Sequence, residues 1–332
     1  LPLIDVAPLV SGRGDALATA RAIDTACRET GFFRIVGHGV DPQLARDVDE
    51  LARNFFALPD EEKAPVAMAC GGRAWRGWFP VGGELTSGTP DRKEGWYAGI
   101  DLSPDHPRVV AGTPLHGPNL VPAEPAAFAP AIEAWITALI PVAHAVMRGI
   151  ALGLGLDADW FEQHLTRDPT VLFRVFHYPP GGGTDEWGVG EHTDYGLLTL
   201  LVQDDRGGLQ VRSPAGGWID VPPDPDVIVC NIGDMLDRLT LGRYRSTPHR
   251  VRNTSGLERI SFPFFFDPSW DARVVPLPLD GAVPDDDARR RWDGRSVRLW
   301  DGTYGEYLTE KVSRVFPDLF ERVRAPGSPQ PE

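Results

Sequence analysis

The segment 188–211, GVGEHTDYGLLTLLVQDDRGGLQV, sets His192 and Asp194 two residues apart at the entrance to an apolar run of strand character. In extended backbone, residues i and i+2 point to one face, so imidazole and carboxylate aim together while Thr193 faces away. Two histidines and one carboxylate, with coordination positions left open, are the ligand set of non-haem Fe(II) oxygenases. Such a site needs a second histidine, and His249, in RSTPHRV, lies on a later strand-like segment of the same region. Each piece alone has an ordinary reading. An H-x-D pair is commonly a solvated turn, and a lone histidine on a strand is commonly a hydrogen-bonded structural residue. Order along the chain and a shared inward phase favour the metal.

HRVRNTSGLERISFPFFF reads as a hairpin turning near Ser255, which sets Ser261 roughly opposite His249. Arg259 and Ser261 are again i and i+2, and an arginine fork on that face can grip a carboxylate through two parallel hydrogen bonds. A keto-acid co-substrate needs such a grip.

These residues require a framework of strands. After Asp168 the chain runs TVLFRVFHY, LLTLLVQ, LQVRS, GWIDVP, DVIVCNIG, STPHRVRN and RISFPFFFD, separated by Gly, Pro, Asn and Asp. That succession predicts an antiparallel barrel or jelly roll. Earlier, LPLIDVAPLV and FFRIVGHGV read as strands. Residues 15–30 read as a helix, as do residues 41–58, with Asp41 as N-cap and Pro42 at the first helical position. The stretch from Pro59 to about Asp101 reads as irregular. A long helix is expected from about Pro125 to Leu154, with Pro141 kinking or dividing it. The tail TYGEYLTEKVSRVFPDLFERV returns to helical spacing. The fold class expected is mainly β with flanking helices, one unit over 1–332. Within it, 1–105 is an N-terminal region, 106–168 bracing helices, 169–270 the jelly-roll core and 271–332 a C-terminal extension.

The chain carries 33 basic and 47 acidic side chains, a net charge of −14. That field opposes nucleic acid and anionic membrane surfaces as partners. No run reads as approaching the roughly 18 apolar residues of a membrane span. Cys27, Cys70 and Cys230 are odd in number and widely spaced, which points away from a disulfide framework or zinc knuckle. No signal peptide is legible, so a reducing cytoplasm is the expected location. The expected state is a monomer or small homo-oligomer.

With EHTDYGLLTLLVQDDRGGLQV, CNIGDMLDRLTLGRYRSTPHRV and RISFPFFFDP in view, the chain resembles the isopenicillin N synthase-like branch of the Fe(II)/2-oxoglutarate-dependent oxygenases. LPLIDVAPL, GFFRIVGHGV, NFFALPDEEK and FRVFHYPP extend the likeness over nearly the whole chain. The resemblance implies a double-stranded β-helix (jelly roll) braced by helices, with Fe(II), 2-oxoglutarate and O2 as cofactor and co-substrates. It implies His192, Asp194 and His249 as iron ligands, and Arg259, Ser261 and Tyr178 as contacts to 2-oxoglutarate. Where many relatives carry Asn two residues before that tyrosine, this chain has Phe176, leaving the co-substrate end drier. Arg174, on the same strand face, is a candidate to compensate; an outward or salt-bridged arginine is the alternative.

The reaction implied is oxidation, by default hydroxylation, of a small-molecule C–H bond with release of succinate and CO2. Three rivals stand beside it: an oxidase of the same fold that does not use 2-oxoglutarate, a non-catalytic binding protein, and a zinc hydrolase. The Arg-x-Ser pair would go unexplained in the last. For the substrate, expected to be an intermediate of bacterial specialised metabolism such as antibiotic biosynthesis, the candidate wall is GGRAWRGWFPVGGELTSGTPDRKEGWYAG. It holds Arg73, Trp75, Arg76, Trp78 and Lys93. Phe173, Phe264 and Phe266 are candidates for an aromatic lining.

Overall fold

The structure, a computed structural model, describes residues 1–181, 186–279, 284–286, 294 and 296–317. Twelve strands are described: β1 (Leu3–Asp5), β2 (Phe32–Val36), β3 (Gly77–Phe79), β4 (Glu94–Gly99), β5 (Pro169–Tyr178), β6 (Val189–His192), β7 (Leu198–Gln203), β8 (Leu209–Arg212), β9 (Trp218–Asp220), β10 (Ile228–Ile232), β11 (His249–Val251) and β12 (Arg259–Ser269). The helices are α1 (Ala7–Ser11), α2 (Ala16–Glu29), α3 (Pro42–Phe56), α4 (Asp60–Lys63), α5 (Pro107–Val110), α6 (Phe128–Gly153), α7 (Trp160–His164), α8 (Asp234–Thr240) and α9 (Tyr304–Val315).

The strands form an eight-stranded sheet, β1-β2-β10-β7-β12-β5-β4-β3, and a four-stranded sheet, β6-β11-β8-β9. Neither closes into a barrel. The first sheet's β10-β7-β12-β5 and the second's β6-β11-β8 make the two walls of a jelly roll, with their inner residues bordering one cavity. Strands from the first and second halves of the chain hydrogen-bond in a single sheet, as β2 does with β10 and β4 with β5.

Local chemistry accounts for several boundaries. Asp41 accepts from Gln43 N and starts α3 with Pro42 behind it, as the sequence predicts. Thr303 and Glu306 form a reciprocal capping box on α9. Other expectations need correction. LPLIDVAPLV is a three-residue strand followed by α1, not one strand. The stretch from Pro59 contributes β3 and β4, whose six-residue strand Glu94–Gly99 is wholly buried against β5. Its Gly, Trp and Lys content hid a strand whose side chains are satisfied only by distant partners. Pro141 lies inside α6 without dividing it.

α6 packs across the outer face of the large sheet. Trp135 meets Phe262 edge-on at 5.6 Å, and Phe128 stacks on Phe55 of α3 at 5.1 Å between ring centroids. Each fully buried side chain of this kind stabilises the fold by ~1.5–3 kcal/mol. With 26 residues, α6 is long and apolar enough by length and composition to cross a bilayer, which corrects the expectation that nothing approaches a membrane span. Here its apolar surface is spent on the sheet and on α2 and α3.

α9 closes one flank of the core through two tyrosines. The Tyr304 hydroxyl donates to Asp267 Oδ2 of β12, and the Tyr307 hydroxyl to Asp234 Oδ2 of α8 at 2.6 Å. Asp267 presses on the chain at Gly196, where a Cβ would fall 1.4 Å from Asp267 Oδ1, so that position admits only glycine. Burial, reinforced by the charge of Asp194, pushes the Asp267 carboxyl up to about 7. The folded state therefore holds a proton on Asp267 over pH ~4–7 that the unfolded chain has released, and this contribution to stability is lost as pH rises through 7. Urea unfolding at pH 5.5 and pH 8 is expected to show a smaller loss of stability with pH in Asp267→Asn than in the parent protein; an equal loss would show that Asp267 does not titrate in this window.

Candidate active site and metal centre

His192, at the end of β6, and His249, at the start of β11, are directly opposite partners in the small sheet. Asp194 lies just beyond β6, in the loop leading to β7, so the carboxylate is not placed by strand alternation. Backbone bonds position it instead: Asp234 N donates to Asp194 O at 2.8 Å, and Met235 N to Gly196 O at 3.0 Å, pinning the loop to the start of α8.

One carboxylate oxygen is tied back to the large sheet. Thr199 Oγ1 donates to Asp194 Oδ2 at 2.5 Å and Asn231 Nδ2 at 2.6 Å, and these two donors are cross-strand partners on β7 and β10. The other oxygen, Oδ1, stands 3.7 Å from Nε2 of both His192 and His249. The three ligand atoms lie within 4.8 Å of one another. Those separations are too long for good hydrogen bonds and leave space for a cation bonded to all three at about 2 Å.

Protonation follows from the same geometry. Nδ1 of His192 faces Gly190 O at 2.8 Å and Nδ1 of His249 faces Thr247 O at 3.2 Å, which directs each Nε2 lone pair inward. Burial, together with the neighbouring His192, pushes His249 down to about 4, and burial lowers His192 as well. Burial works against charge on Asp194, but the two imidazoles and the Asn231 and Thr199 donors hold its carboxyl below the usual range. Two neutral imidazoles and one carboxylate are the protonation states a divalent metal needs.

The cavity lining alternates along each strand with period two. Leu172, Arg174, Phe176 and Tyr178 face inward from β5, and Arg259, Ser261, Pro263, Phe265 and Asp267 from β12. At one end, Tyr178 Oη and Ser261 Oγ are 3.3 Å apart, and the Tyr178 ring lies 4.6 Å beneath the Arg259 guanidinium. Arg259 is fully buried, with Nε donating to Gly207 O at 2.6 Å and Nη2 to Gln203 Oε1 at 2.9 Å. Its Nη1 is buried with no partner among the described residues. A fixed guanidinium with one unspent donor beside two hydroxyls is a cup for a carboxylate.

Several expectations are corrected here. β11 and β12 are not a hairpin: β11 pairs with β6 and β8 in the small sheet, β12 with β5 and β7 in the large one. His249 and Ser261 line one cavity from different sheets, because the intervening segment changes sheets. Trp75, Arg76 and Trp78 do not border the cavity. Trp75 is core; Arg76 donates to the carbonyls of Ile100 and Gly117 and to Asn119 Oδ1; Trp78 Nε1 donates to Glu94 Oε2 at 2.8 Å. Arg73 bonds Gly112 O, and only Lys93 of that group reaches the lining. Phe173, Phe264 and Phe266 are core on the opposite strand phase, and Phe176, Phe265 and Phe32 supply the aromatic lining. Glu84, Thr86, Thr199, Gln203 and Asn231 join the site without a signal in the sequence reading. Thr199 and Gln203 stand in LLTLLVQ, but their partners are distant along the chain.

Known proteins resemble this chain over most of its length. Residues 1–124 match the family model described as non-haem dioxygenase in morphine synthesis N-terminal, and residues 169–268 match that of the 2OG-Fe(II) oxygenase superfamily. A Dictyostelium discoideum protein described as "Probable iron/ascorbate oxidoreductase" is 44% identical, covering 97% of this chain and 96% of its own length. A 1-aminocyclopropane-1-carboxylate oxidase of Dictyostelium mucoroides is 37% identical over 96% and 95%. A full-length Neurospora crassa protein, solved in complex with alpha-KG and thymine, superposes with a TM-score of 0.77 at 29% identity, covering 94% of this chain and 96% of that one. The chain belongs to the 2OG-Fe(II) oxygenase superfamily. It is an Fe(II)- and 2-oxoglutarate-dependent dioxygenase, and O2 is its co-substrate.

If the Asp194 carboxylate is aimed by its two donors, Asn231→Leu is expected to weaken Fe(II) binding by about 10–100-fold, measured by anaerobic titration with 2-oxoglutarate present. Unchanged affinity would show that the loop alone orients the carboxylate.

Proposed function

We propose that His192, Asp194 and His249 hold Fe(II) and that Arg259, Ser261 and Tyr178 receive the far carboxylate of 2-oxoglutarate. On this reading one unit, 1–332, hydroxylates a C–H bond of a small molecule. The reaction balances as R–H, O2 and 2-oxoglutarate giving R–OH, succinate and CO2. Bound Fe(II) would supply the activation of O2 and the two-electron oxidation of the co-substrate. The observation that carries this reading is the convergence of the three ligand atoms on one cavity with a buried, partly unsatisfied Arg259 at its end.

The protein's own residues do the rest. Gln203 and Gly207 fix the guanidinium, so the co-substrate carboxylate meets donors already in place. Phe176 packs 6.2 Å from the Tyr178 ring and keeps that wall apolar. Dry walls strengthen each charged contact and limit side reactions.

A second reading, an oxidase that uses the same iron site without 2-oxoglutarate, is favoured by the 37% identity to 1-aminocyclopropane-1-carboxylate oxidase. Anaerobic addition of Fe(II) and then 2-oxoglutarate separates the two. A visible charge-transfer band that saturates with 2-oxoglutarate, with slow succinate release in air, is expected for the dioxygenase; iron binding without such a band points to the oxidase. Arg259→Met should raise the 2-oxoglutarate Kd from that titration by about 10–100-fold while leaving Fe(II) binding intact. Asp194→Ala should abolish Fe(II) binding.

A further inference from the structure

A second arginine borders the same cavity: Arg174, expected from the sequence to compensate for Phe176 at the co-substrate end or to be salt-bridged, lies beside Glu84 and away from the Tyr178–Ser261–Arg259 group. Arg174 projects inward from β5 four residues before Tyr178, ~13 Å along the strand. Arg174 and Arg259 thus stand towards opposite ends of one wall. Arg174's place is fixed by rings: its guanidinium carbon is 4.3 Å from the Tyr97 centroid and 4.9 Å from that of Phe265. Cation–π contacts on both sides hold the fork in one plane before any ligand arrives.

The charged groups around it have chosen other partners. Lys93 Nζ lies 2.7 Å from Glu84 Oε2 and also bonds Asp91 Oδ2, and the Tyr97 hydroxyl donates to Glu84 Oε1 at 2.6 Å. Arg174 is left with a single marginal contact, Nη1 to Glu84 Oε1 at 3.5 Å, and its Nε is buried with no partner among the described residues. A guanidinium carries five donors, and leaving buried donors unmet is costly. The side chain is 13% exposed, and the cavity it borders is where an acceptor can reach it.

We propose that Arg174 is the substrate anchor and that the oxidised substrate is a small carboxylic acid, its carboxylate gripped by the Arg174 fork and its apolar body against Phe265 and Leu308. This rests on the dioxygenase reading above. Charge selects the class. Glu84 and Asp91 against Lys93 and Arg174 make a cluster of zero net charge, which accepts one further negative charge more readily than the two of a phosphate monoester beside Glu84. A flat two-oxygen anion also matches the fork.

The test loads the protein anaerobically with Fe(II) and saturating 2-oxoglutarate, so that the Arg259 end is filled. Benzoate, phenylacetate and hexanoate are then titrated against their methyl esters, and a shift of the charge-transfer band, as opposed to its loss, reports binding. At least one acid should bind about tenfold or more tightly than its ester. Arg174→Met should erase that preference with the 2-oxoglutarate Kd changed by less than about twofold, and Arg174→Lys should keep part of it. A band with no preference for any acid, or a preference that Arg174→Met retains, overturns this inference alone. If wild type gives no 2-oxoglutarate band, the dioxygenase reading fails and takes this inference with it. If Arg174→Met does not fold, Arg174→Lys decides: a clearly reduced preference supports the anchor, and an unchanged one overturns it.

Discussion

The arrangement depends on one buried carboxylate shared between two sheets. Asp194 is the point where the small sheet, carrying His192 and His249, is joined to the large one through Thr199 and Asn231. An ionised carboxylate in a dry interior is tolerated only if its charge is met by donors and nearby cations or metal. Two donors from adjacent strands take Oδ2 and leave Oδ1 facing the two imidazole Nε2 atoms across a gap sized for a cation. The spacing of the sheets, the bend at Gly196 and the docking of α8 all serve that one orientation. Asn231 and Thr199 are therefore as much part of the metal centre's geometry as the three residues that face the cavity.

Strand alternation then arranges everything else in the cavity. One phase of β5 and β12 carries Arg174, Phe176, Tyr178, Arg259, Ser261 and Phe265 inward, and the other phase carries Phe173, Phe264 and Phe266 into the core. The inward set separates into an Arg259 end with hydroxyls and an Arg174 end with rings and a neutralised ion cluster. Both arginines lie over aromatic rings, Arg259 on Tyr178 and Arg174 between Tyr97 and Phe265. Rigid cations with unspent donors are suited to capturing anions, since little conformational entropy remains to be lost on binding.

The bracing elements explain why such a polar cavity survives. α6 buries its aromatic and aliphatic side chains against the back of the large sheet. α9 closes the flank with Tyr304 and Tyr307, each donating to a buried aspartate that adjoins the loop carrying Asp194. Burial keeps the Asp267 carboxyl protonated below about pH 7, which in that range spares the cavity one more negative charge beside Asp194.

Much of this was legible in the residues alone. His192 with Asp194 and Arg259 with Ser261 stand out by type and i,i+2 spacing, His249 by type on a later strand, and Tyr178 only through the family resemblance; the strand succession after Asp168 identified a jelly roll, because periodicity is a local property. The errors arose wherever a partner was distant in sequence. The supposed hairpin after His249 crosses between sheets; Glu94–Gly99 forms a buried strand only because β5 lies beside it; Trp75 is taken up by the core, Arg76 by backbone carbonyls and Asn119, and Trp78 by the Glu94 carboxylate. Sequence by itself determined which residues could ligate iron and bind a keto acid. Only the tertiary structure decided that Arg174, like Arg259, keeps an unmet donor, because that depends on how Glu84, Asp91 and Lys93, brought in from the first third of the chain, bond to one another and to Tyr97 instead.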